Sequence, residues 1–196
     1  MILGLNTCIV NNKNRDGTTD VTRTLHFGIP RPIEKEMYTK VLLGNLDLER
    51  ITFPNNKMTT GIMLDTIARR QLWSIGKNYG HGTGHGVGHF LCVHEGPIGI
   101  SPGRTIGFEE GMVCSNGKFN GYFMIEPGYY KSNEFGIRIE NVLICKKSEL
   151  FEDFLCFENI TMVPYCQALI DWNMMSKDDV EYINKYHQKV NTNNNK

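Results

Sequence analysis

The segment from Gly80 to Gly88 constrains the fold more than any other part of the sequence, because five of its nine residues are glycine and two are histidine. Glycine loses more backbone entropy on ordering than any other residue, so a packed helix or a central strand rarely has this composition. The segment therefore indicates a backbone conformation or close packing that requires glycine, and it carries His81 and His85. Each histidine alone is equally compatible with a metal ligand and with a structural hydrogen bond.

Charge and hydropathy limit the classes of function. The 196 residues carry 21 basic and 21 acidic side chains, which argues against nucleic acid as a partner because phosphate binding relies on a surplus of Lys and Arg. No run reaches the roughly 20 apolar residues that span a bilayer. The apolar opening, residues 1–10, lacks the basic start of a signal peptide. We expect a soluble, cytosolic domain that binds neither nucleic acid nor membranes.

Two segments have the alternating pattern of strands. Residues 21–27 are rich in β-forming side chains and end at Gly28, which predicts a strand with a sharp turn after it. Residues 135–144 alternate more strongly and predict one strand with two distinct faces. Ile137 and Ile139 fall on one of these faces, with Arg138 and Glu140 on the other.

Helical spacing of apolar residues predicts helices at 33–48, at 60–75 and at 178–187. A polar tail follows the last one and is expected to fray. In the second helix we expect inward-facing Ile62, Ile67 and Leu72, and core positions for Met58, Met63, Leu64 and Trp73. Strands mixed with helices indicate an α+β fold, in which we expect a curved, mostly antiparallel sheet with the first two helices on its outer face.

The six cysteines do not form a CxxC motif or any other close pair. Zinc ribbons and redox motifs require two thiolates within a few residues, so the sequence predicts neither. Most of the cysteines have apolar neighbours, which favours buried, reduced thiols.

Carboxylates and imidazoles on glycine-shaped or β-branched backbone are candidate ligands of a divalent metal. Separately each is weak, and a glutamate in a strand such as Glu140 more often faces solvent. Together they come from several separate segments, which favours a shared site. The candidates are Asp16, Asp20, His81, His85, His94, Glu95, Glu126 and Glu140.

Five motifs occur in an order that resembles a known enzyme family. They are Asp16-Gly-Thr-Thr-Asp-Val-Thr-Arg-Thr24, His81-Gly-Thr-Gly-His-Gly-Val-Gly88, Val93-His-Glu-Gly-Pro97, Glu126-Pro-Gly-Tyr-Tyr130 and Gly136-Ile-Arg-Ile-Glu-Asn141. The set resembles the catalytic domain of Xaa-Pro aminopeptidases, whose "pita-bread" fold is shared with prolidase, creatinase and methionine aminopeptidase. The resemblance runs from Asp16 to about His187 and implies this α+β fold, incomplete in its N-terminal half.

The resemblance implies a role for each matching residue. Asp20, His85, Glu126 and Glu140 match metal ligands of the family, and Asp20 and Glu140 match the bridging carboxylates. His94 matches the histidine that contacts the scissile peptide, His81 matches one that lines the substrate pocket, and Arg138 is expected to orient the ligands beside it. The family carries two divalent metals, usually manganese.

The chemistry that the resemblance implies is hydrolysis of the first peptide bond of peptides with proline at position 2. Water activated by the metals attacks the carbonyl, His94 stabilises the oxyanion, and Glu126 moves the proton. Because proline lacks an N–H and fixes its backbone angle, the pocket has to accept a ring and a tertiary amide. Some relatives are homodimers, so a homodimer is a further expectation.

Two local departures from the family pattern affect the metal site. A further ligand Asp is expected eleven positions before Asp20, where this sequence has Ile9, and Asp16 does not fit that place. A single metal is therefore a physical alternative to two. Nine residues, 117–125, also separate Asn116 from Glu126, which are adjacent in the family. They either displace Glu126 or bulge outward and leave it in position.

The resemblance also implies that the family's catalytic domain begins upstream of the position that matches Met1. We divide the chain into an atypical stretch at 1–15, a metallopeptidase part at 16–188 and a polar tail at 189–196. Residues 1–15 and 117–125 are either genuine or artefacts of the gene model. The leading hypothesis is an Xaa-Pro aminopeptidase. The alternatives are a prolidase-type dipeptidase, which cleaves only dipeptides, and an inactive pseudoenzyme that binds peptides.

Overall fold

A computed structural model of the chain describes residues 2–7, 20–88, 92–110 and 122–194. These residues form strands, helices and two short 3-10 turns, at Gln167–Leu169 and Trp172–Met174. In chain order the strands and helices are β1 (Ile2–Thr7), β2 (Val21–His26), α1 (Pro32–Glu49), β3 (Thr52–Pro54), α2 (Gly61–Trp73), β4 (Gly84–Val87), β5 (Glu95–Ile100), β6 (Tyr122–Ile125), β7 (Gly128–Lys131), β8 (Phe135–Arg138), β9 (Asn141–Lys147), β10 (Phe154–Asn159) and α3 (Lys177–Asn194).

The main sheet has six strands in the order β3-β10-β9-β6-β4-β5. Every neighbouring pair is antiparallel, which confirms the predicted antiparallel sheet. Two antiparallel ribbons, β1–β2 and β7–β8, accompany it. An isolated bridge between Thr22 and Glu140 joins the first ribbon to the start of β9, so both ribbons converge where the predicted ligands lie.

Helix α1 is set by its first turn and by close contact with α2. Pro32 occupies its N-terminus, where a missing N–H costs nothing, and the Glu34 carboxylate accepts a 2.7 Å hydrogen bond from the Arg31 N–H. Further along, a Cβ on Gly44 would lie 2.2 Å from the Ala68 carbonyl oxygen of α2. Only glycine therefore permits this approach of the two helices.

The predicted inward face of α2 was wrong in part. Leu64 is buried as expected, but four other predicted inward or core residues are 41–79% exposed: Met58, Ile62, Met63 and Trp73. Leu72 is also buried as predicted, and the buried stripe runs through Leu64, Ala68 and Leu72 at a spacing of four. The neighbouring positions on this stripe are the charged residues Asp65 and Arg69, which are also buried, so counting apolar residues alone misplaced the face.

The predicted strand at 135–144 is two strands, β8 and β9. The break has a local cause, because the Ile139 N–H bonds to Pro127 and the Glu140 N–H bonds to Thr22 rather than continuing one ladder. The chain thereby passes from the β7–β8 ribbon into the main sheet. The predicted faces are confirmed, since Ile137 and Ile139 are fully buried in the core while Glu140 points to the other side against Thr22.

The last helix continues beyond the predicted end at residue 187. It runs to Asn194, and Val190, inside the predicted polar tail, is fully buried. Ile183, Tyr186 and Val190 recur every three or four residues and pack into the core cluster around α1. Because the tail is otherwise polar, its composition did not indicate that its single valine is buried.

Burial of the cysteines is mixed. Cys145 is buried, Cys156 and Cys166 are partly exposed, and Cys92 is exposed, contrary to the expectation of buried thiols; all four are free. Cys8 and Cys114 lie outside the described residues. Within the described ranges, no helix combines the length and the apolar character that crossing a membrane requires.

Candidate metal centre

The fold gathers the four predicted ligands from four separate segments. Asp20 immediately precedes β2, His85 lies within β4, Glu126 directly follows β6, and Glu140 lies between β8 and β9. We call Asp20, His85, Glu126 and Glu140 the ligand cluster. Donor atoms of His85, Glu126 and Glu140 lie within 4.8 Å of one another, as do those of Asp20, His85 and His94. The expectation that Glu140 faces solvent is excluded, because it is 3% exposed.

The imidazole of His85 has a fixed orientation. Its Nδ1 lies 2.9 Å from the Gly86 carbonyl oxygen, to which it donates, so Nε2 carries the lone pair. Nε2 lies 3.8 Å from both Asp20 Oδ2 and Glu126 Oε1. It is buried and has no hydrogen-bond partner. Burial lowers the pKa of His85, which favours the neutral form that ligates metals.

The carboxylates of the ligand cluster repel one another. Burial raises the pKa values of Asp20 and Glu126. Burial raises the pKa of Glu140 to about 7, and the nearby Asp20 and Glu126 carboxylates act in the same direction, while the hydrogen bond from the Thr22 hydroxyl opposes them. A divalent cation would offset this repulsion and would take up the unpartnered Nε2 of His85. The donor set of one imidazole and three carboxylates therefore fits a divalent metal of manganese or zinc type.

The glycine-rich segment is an interior strand because its glycines allow close packing. β4 lies between β6 and β5, and a Cβ on Gly86 would lie 2.4 Å from the Glu95 carbonyl oxygen. His85 thus projects from a strand whose neighbouring positions carry no side chain. On the other side of β4, the Glu126 N–H donates a 2.6 Å hydrogen bond to the Thr83 carbonyl oxygen, which fixes Glu126 relative to His85.

A buried network behind the glycine-rich segment holds its backbone. The Arg69 guanidinium donates to Asp65 Oδ2 at 2.7 Å and to the carbonyl oxygens of Tyr79 at 2.7 Å and His81 at 2.6 Å. The Thr83 hydroxyl donates to Asp65 Oδ1 at 2.5 Å and lies 2.5 Å from the Tyr79 hydroxyl. We call Asp65, Arg69, Tyr79 and Thr83 the loop network.

Arg138 lies beside the ligand cluster, as predicted. Its Nη1 is 3.4 Å from Glu126 Oε2, and its Nε donates to the Tyr130 hydroxyl at 3.0 Å. The Tyr130 hydroxyl also lies 2.9 Å from His81 Nε2. Tyr130 thus links Arg138 to His81, a position that sequence reasoning missed. The Glu-Pro-Gly-Tyr-Tyr motif contained the only signal for it.

His94 and His81 lie at the edge of the ligand cluster, which we call the rim. His94 is exposed, and its ring centroid is 4.3 Å from that of His85. His81 is partly exposed, and its Nδ1 lies 2.7 Å from the Gly82 carbonyl oxygen. Glu95 belongs to neither set of clustered donor atoms. Ile9 and Asp16 lie outside the described residues.

The nine residues before Glu126 do not displace it. Residues 117–121 lie outside the described part, and the last four form β6, which pairs with β4 and β9. Glu126 follows this strand directly and lies within the ligand cluster. Of the two outcomes considered for this insertion, the structure has the one that leaves Glu126 in position.

Comparisons with known proteins agree with the sequence motifs. The model of metallopeptidase family M24 matches residues 7–147, and that of the C-terminal region of peptidase M24 matches residues 153–195. Xaa-Pro aminopeptidase 2 of Mus musculus is 47% identical over 91% of this chain and 25% of its own length. A probable Xaa-Pro aminopeptidase P of Leptosphaeria maculans is 47% identical over 93% of this chain and 30% of its own.

A solved structure is similar over most of the described fold. It is the X-prolyl aminopeptidase of Caenorhabditis elegans, a cytosolic enzyme with a di-nuclear active site, with a TM-score of 0.78 and 37% identity. The match covers 89% of this chain and 27% of that one. The chain spans about a quarter of the length of the mouse relative. With most of its sequence matched by the family model, the chain belongs to metallopeptidase family M24.

Proposed function

We propose that the protein is a metal-dependent aminopeptidase that hydrolyses the first peptide bond of peptides with proline at position 2. The observation that carries the proposal is the buried, unpartnered Nε2 of His85, which lies 3.8 Å from carboxylate oxygens of Asp20 and Glu126. Such an atom is costly without a partner, and a divalent metal is the partner that an imidazole among carboxylates prefers. Xaa-Pro aminopeptidases among the relatives support the reaction class.

In this proposal Asp20, His85, Glu126 and Glu140 hold the metal, which we propose to be Mn²⁺. When bound, it supplies the Lewis acidity that makes water a nucleophile at neutral pH. Because Ile9 occupies the position of a fifth ligand, we propose one tightly held Mn²⁺ per chain. Two metal ions per chain, the number implied by the di-nuclear site of the Caenorhabditis elegans enzyme, would contradict this.

The chain's own residues would handle the proton and the substrate. Burial raises the pKa of Glu126, so its carboxylate is suited to accept a proton from water and pass it to the leaving nitrogen. His94 is exposed at the rim beside His85 and would donate to the developing oxyanion. His81 and Tyr130 form the neighbouring wall and would contact the substrate.

Arg138 would keep Glu126 in its working position. Its guanidinium contacts Glu126 and Tyr130 together, so it connects the proton-carrying carboxylate to the wall that receives the substrate. Residues of this kind fix the orientation of metal ligands without touching the metal.

The test is peptide hydrolysis by the Mn²⁺-loaded chain, monitored by chromatography of the products. We expect release of the first residue from Xaa-Pro-extended peptides and none from Xaa-Ala peptides of matched length. Activity restricted to Xaa-Pro dipeptides would favour the prolidase-type alternative. Mn²⁺ binding without cleavage of either substrate would contradict the proposal and favour a peptide-binding pseudoenzyme. The His85→Ala variant is the control for contaminating peptidase.

A further inference from the structure

Arg23 is a buried arginine close to the ligand cluster that the proposed reaction does not use. We propose that it is a positioning residue, through which the C-terminal part of the chain, residues 163–190, sets the place of Glu140. The inference rests on the proposed metal centre and goes beyond it, because none of the C-terminal residues belongs to the ligand cluster. Arg23 lies on β2, three positions after Asp20, and is 5% exposed.

One side of the guanidinium fixes the backbone that carries Glu140. Arg23 Nη1 donates to the Glu140 carbonyl oxygen at 2.7 Å and to the Thr22 carbonyl oxygen at 3.0 Å. The Thr22 hydroxyl in turn donates to Glu140 Oε2. Arg23 therefore holds both the main chain of Glu140 and the residue that orients its carboxylate.

The other side of the guanidinium binds the C-terminal part. Arg23 Nη2 donates to the Val163 carbonyl oxygen at 2.7 Å and to the Tyr186 hydroxyl of α3 at 2.9 Å. Its Nε donates to the Val163 carbonyl oxygen at 3.1 Å, and its Cζ lies 4.8 Å from the centre of the Tyr165 ring. A planar group with five N–H donors makes these contacts at once, which a lysine ammonium does not.

The side-chain partners of Arg23 lie outside the ligand cluster. Its Nη2 also donates to Asn141 Oδ1 at 2.7 Å, and Asn141 Nδ2 donates to the buried carboxylate of Glu49. Among the described residues, no carboxylate lies within ion-pair distance of Arg23. Because its contacts to Glu140 and Thr22 are made to backbone carbonyls, it acts on the site by placing backbone rather than by neutralising a ligand.

A matched arginine separates this role from general support of α3. Arg50 also ties α3 to the rest of the chain, through a 2.5 Å hydrogen bond from Nη2 to Asp179 Oδ1, and contacts none of the ligand cluster. Tyr38 is the matched control for Tyr186. Its buried hydroxyl accepts a 3.0 Å hydrogen bond from the Cys166 N–H, and among the described residues it shares no hydrogen bond with Arg23 or the ligand cluster.

The experiment is a Co²⁺ titration of the metal-free full chain, followed by visible absorption, with folding checked by far-ultraviolet circular dichroism. The variants are Arg23→Lys and Tyr186→Phe, and their controls are Arg50→Lys and Tyr38→Phe. For Arg23→Lys we expect about 10- to 100-fold weaker Co²⁺ binding and an altered absorption band. Tyr186→Phe is expected to weaken binding in the same direction by less, while both controls bind as the wild type does.

Three outcomes are distinguishable. Folded Arg23→Lys and Tyr186→Phe variants that bind Co²⁺ with wild-type affinity and spectrum would overturn the inference. Equal weakening in the Arg50→Lys and Tyr38→Phe controls would also overturn it, since the effect would then be general support. Wild-type chain that binds Co²⁺ no better than His85→Ala would refute the metal centre itself. If Arg23→Lys does not fold, Tyr186→Phe decides the question.

Discussion

The loop network and the ligand cluster are two buried polar groups that both include residues of the glycine-rich segment, and they differ in how their hydrogen bonds are satisfied. In the loop network, both oxygens of Asp65 accept hydrogen bonds, and Arg69 donates to one carboxylate oxygen and two carbonyl oxygens. In the ligand cluster, three carboxylates and an imidazole lone pair face one another, and the Nε2 of His85 has no donor.

The difference separates structure from function. A network in which donors match acceptors is complete as it stands and rigidifies its surroundings. A group with an excess of acceptors is incomplete. Burial raises the pKa values of its three carboxylates, and neighbouring carboxylates add to this at Glu126 and Glu140, so keeping all of them ionised without a cation is costly. Loss of a residue of the loop network should therefore lower the free energy of unfolding, whereas loss of a residue of the ligand cluster should change it less.

The largest expected effect is on the loop network. Arg69→Met leaves the Asp65 carboxylate buried without its cation, and we expect the free energy of unfolding to fall by about 3–5 kcal/mol. Urea denaturation of the metal-free chain measures this. Arg70→Met, on the same helix but with a side chain 69% exposed, should change the value by no more than about 1 kcal/mol. Similar losses in the two variants would break the comparison.

The second-largest expected effect is on Mn²⁺ binding, when one proposed ligand is removed. His85→Ala should weaken Mn²⁺ binding at least about 100-fold, because removing a ligand costs no less than disturbing its neighbours; this corresponds to about 2.7 kcal/mol. Equilibrium dialysis measures it, with His81→Ala as a control that should bind nearly as the wild type does. Stability of the metal-free His85→Ala chain should fall by less than that of Arg69→Met, and a larger fall would contradict the distinction.

A smaller effect follows from protonation of Glu140. Its pKa is raised to about 7, and a metal binds only the deprotonated carboxylate, so protons compete increasingly as the pH falls. We expect Mn²⁺ affinity to drop about five- to tenfold from pH 7 to pH 6. Calorimetric titration at several pH values tests this. Affinity that stays constant over this interval would show that Glu140 does not ligate the metal or is already ionised.

The smallest effect has the opposite sign from the first. Because the folded-state pKa of Glu140 lies above the ordinary 4.5, its stabilising contribution is fully present below pH 4.5 and is lost as the pH rises through 7. Glu140→Gln does not ionise, so at pH 8 it should stabilise the metal-free chain by about 1 kcal/mol. Thermal unfolding at pH 5 and pH 8 checks this, with Glu158→Gln, whose side chain is 41% exposed, as control. Destabilisation at pH 8 would contradict the excess of acceptors.

The sequence predicted that the residues of the ligand cluster come together, because each of them lies in a short motif that the family resemblance identifies. Asp20, His85, Glu126 and Glu140 are far apart in the chain, and the family resemblance brought them together before the structure did. The loop network was not predicted. Asp65 and Arg69 have the i, i+4 spacing of an ordinary surface pair, and only packing against Tyr79 and Thr83 makes them buried.

Dependence on distant packing partners also explains where the predicted fold was wrong. Ile62 and Trp73 are residue types common in cores, yet they are not on the buried face of α2. That face instead carries Leu64, Ala68 and the Asp65–Arg69 pair. The predicted strand at 135–144 had the right faces and the wrong continuity, since its break depends on a bridge between Glu140 and Thr22, far away in sequence. Local patterns fix the direction of side chains, whereas distant partners decide where an element ends.

The close approach at Gly86 has a consequence for how this protein can vary. Any side chain there would meet the carbonyl oxygen of Glu95 on the adjoining strand, and Glu95 follows His94 directly. A side chain at Gly86 would therefore disturb two places together, the proposed ligand His85 beside it and His94 next to Glu95. In a library of random variants, we therefore expect changes at Gly86 to be tolerated far less often than changes at Gly80, where a Cβ would meet nothing within 4 Å.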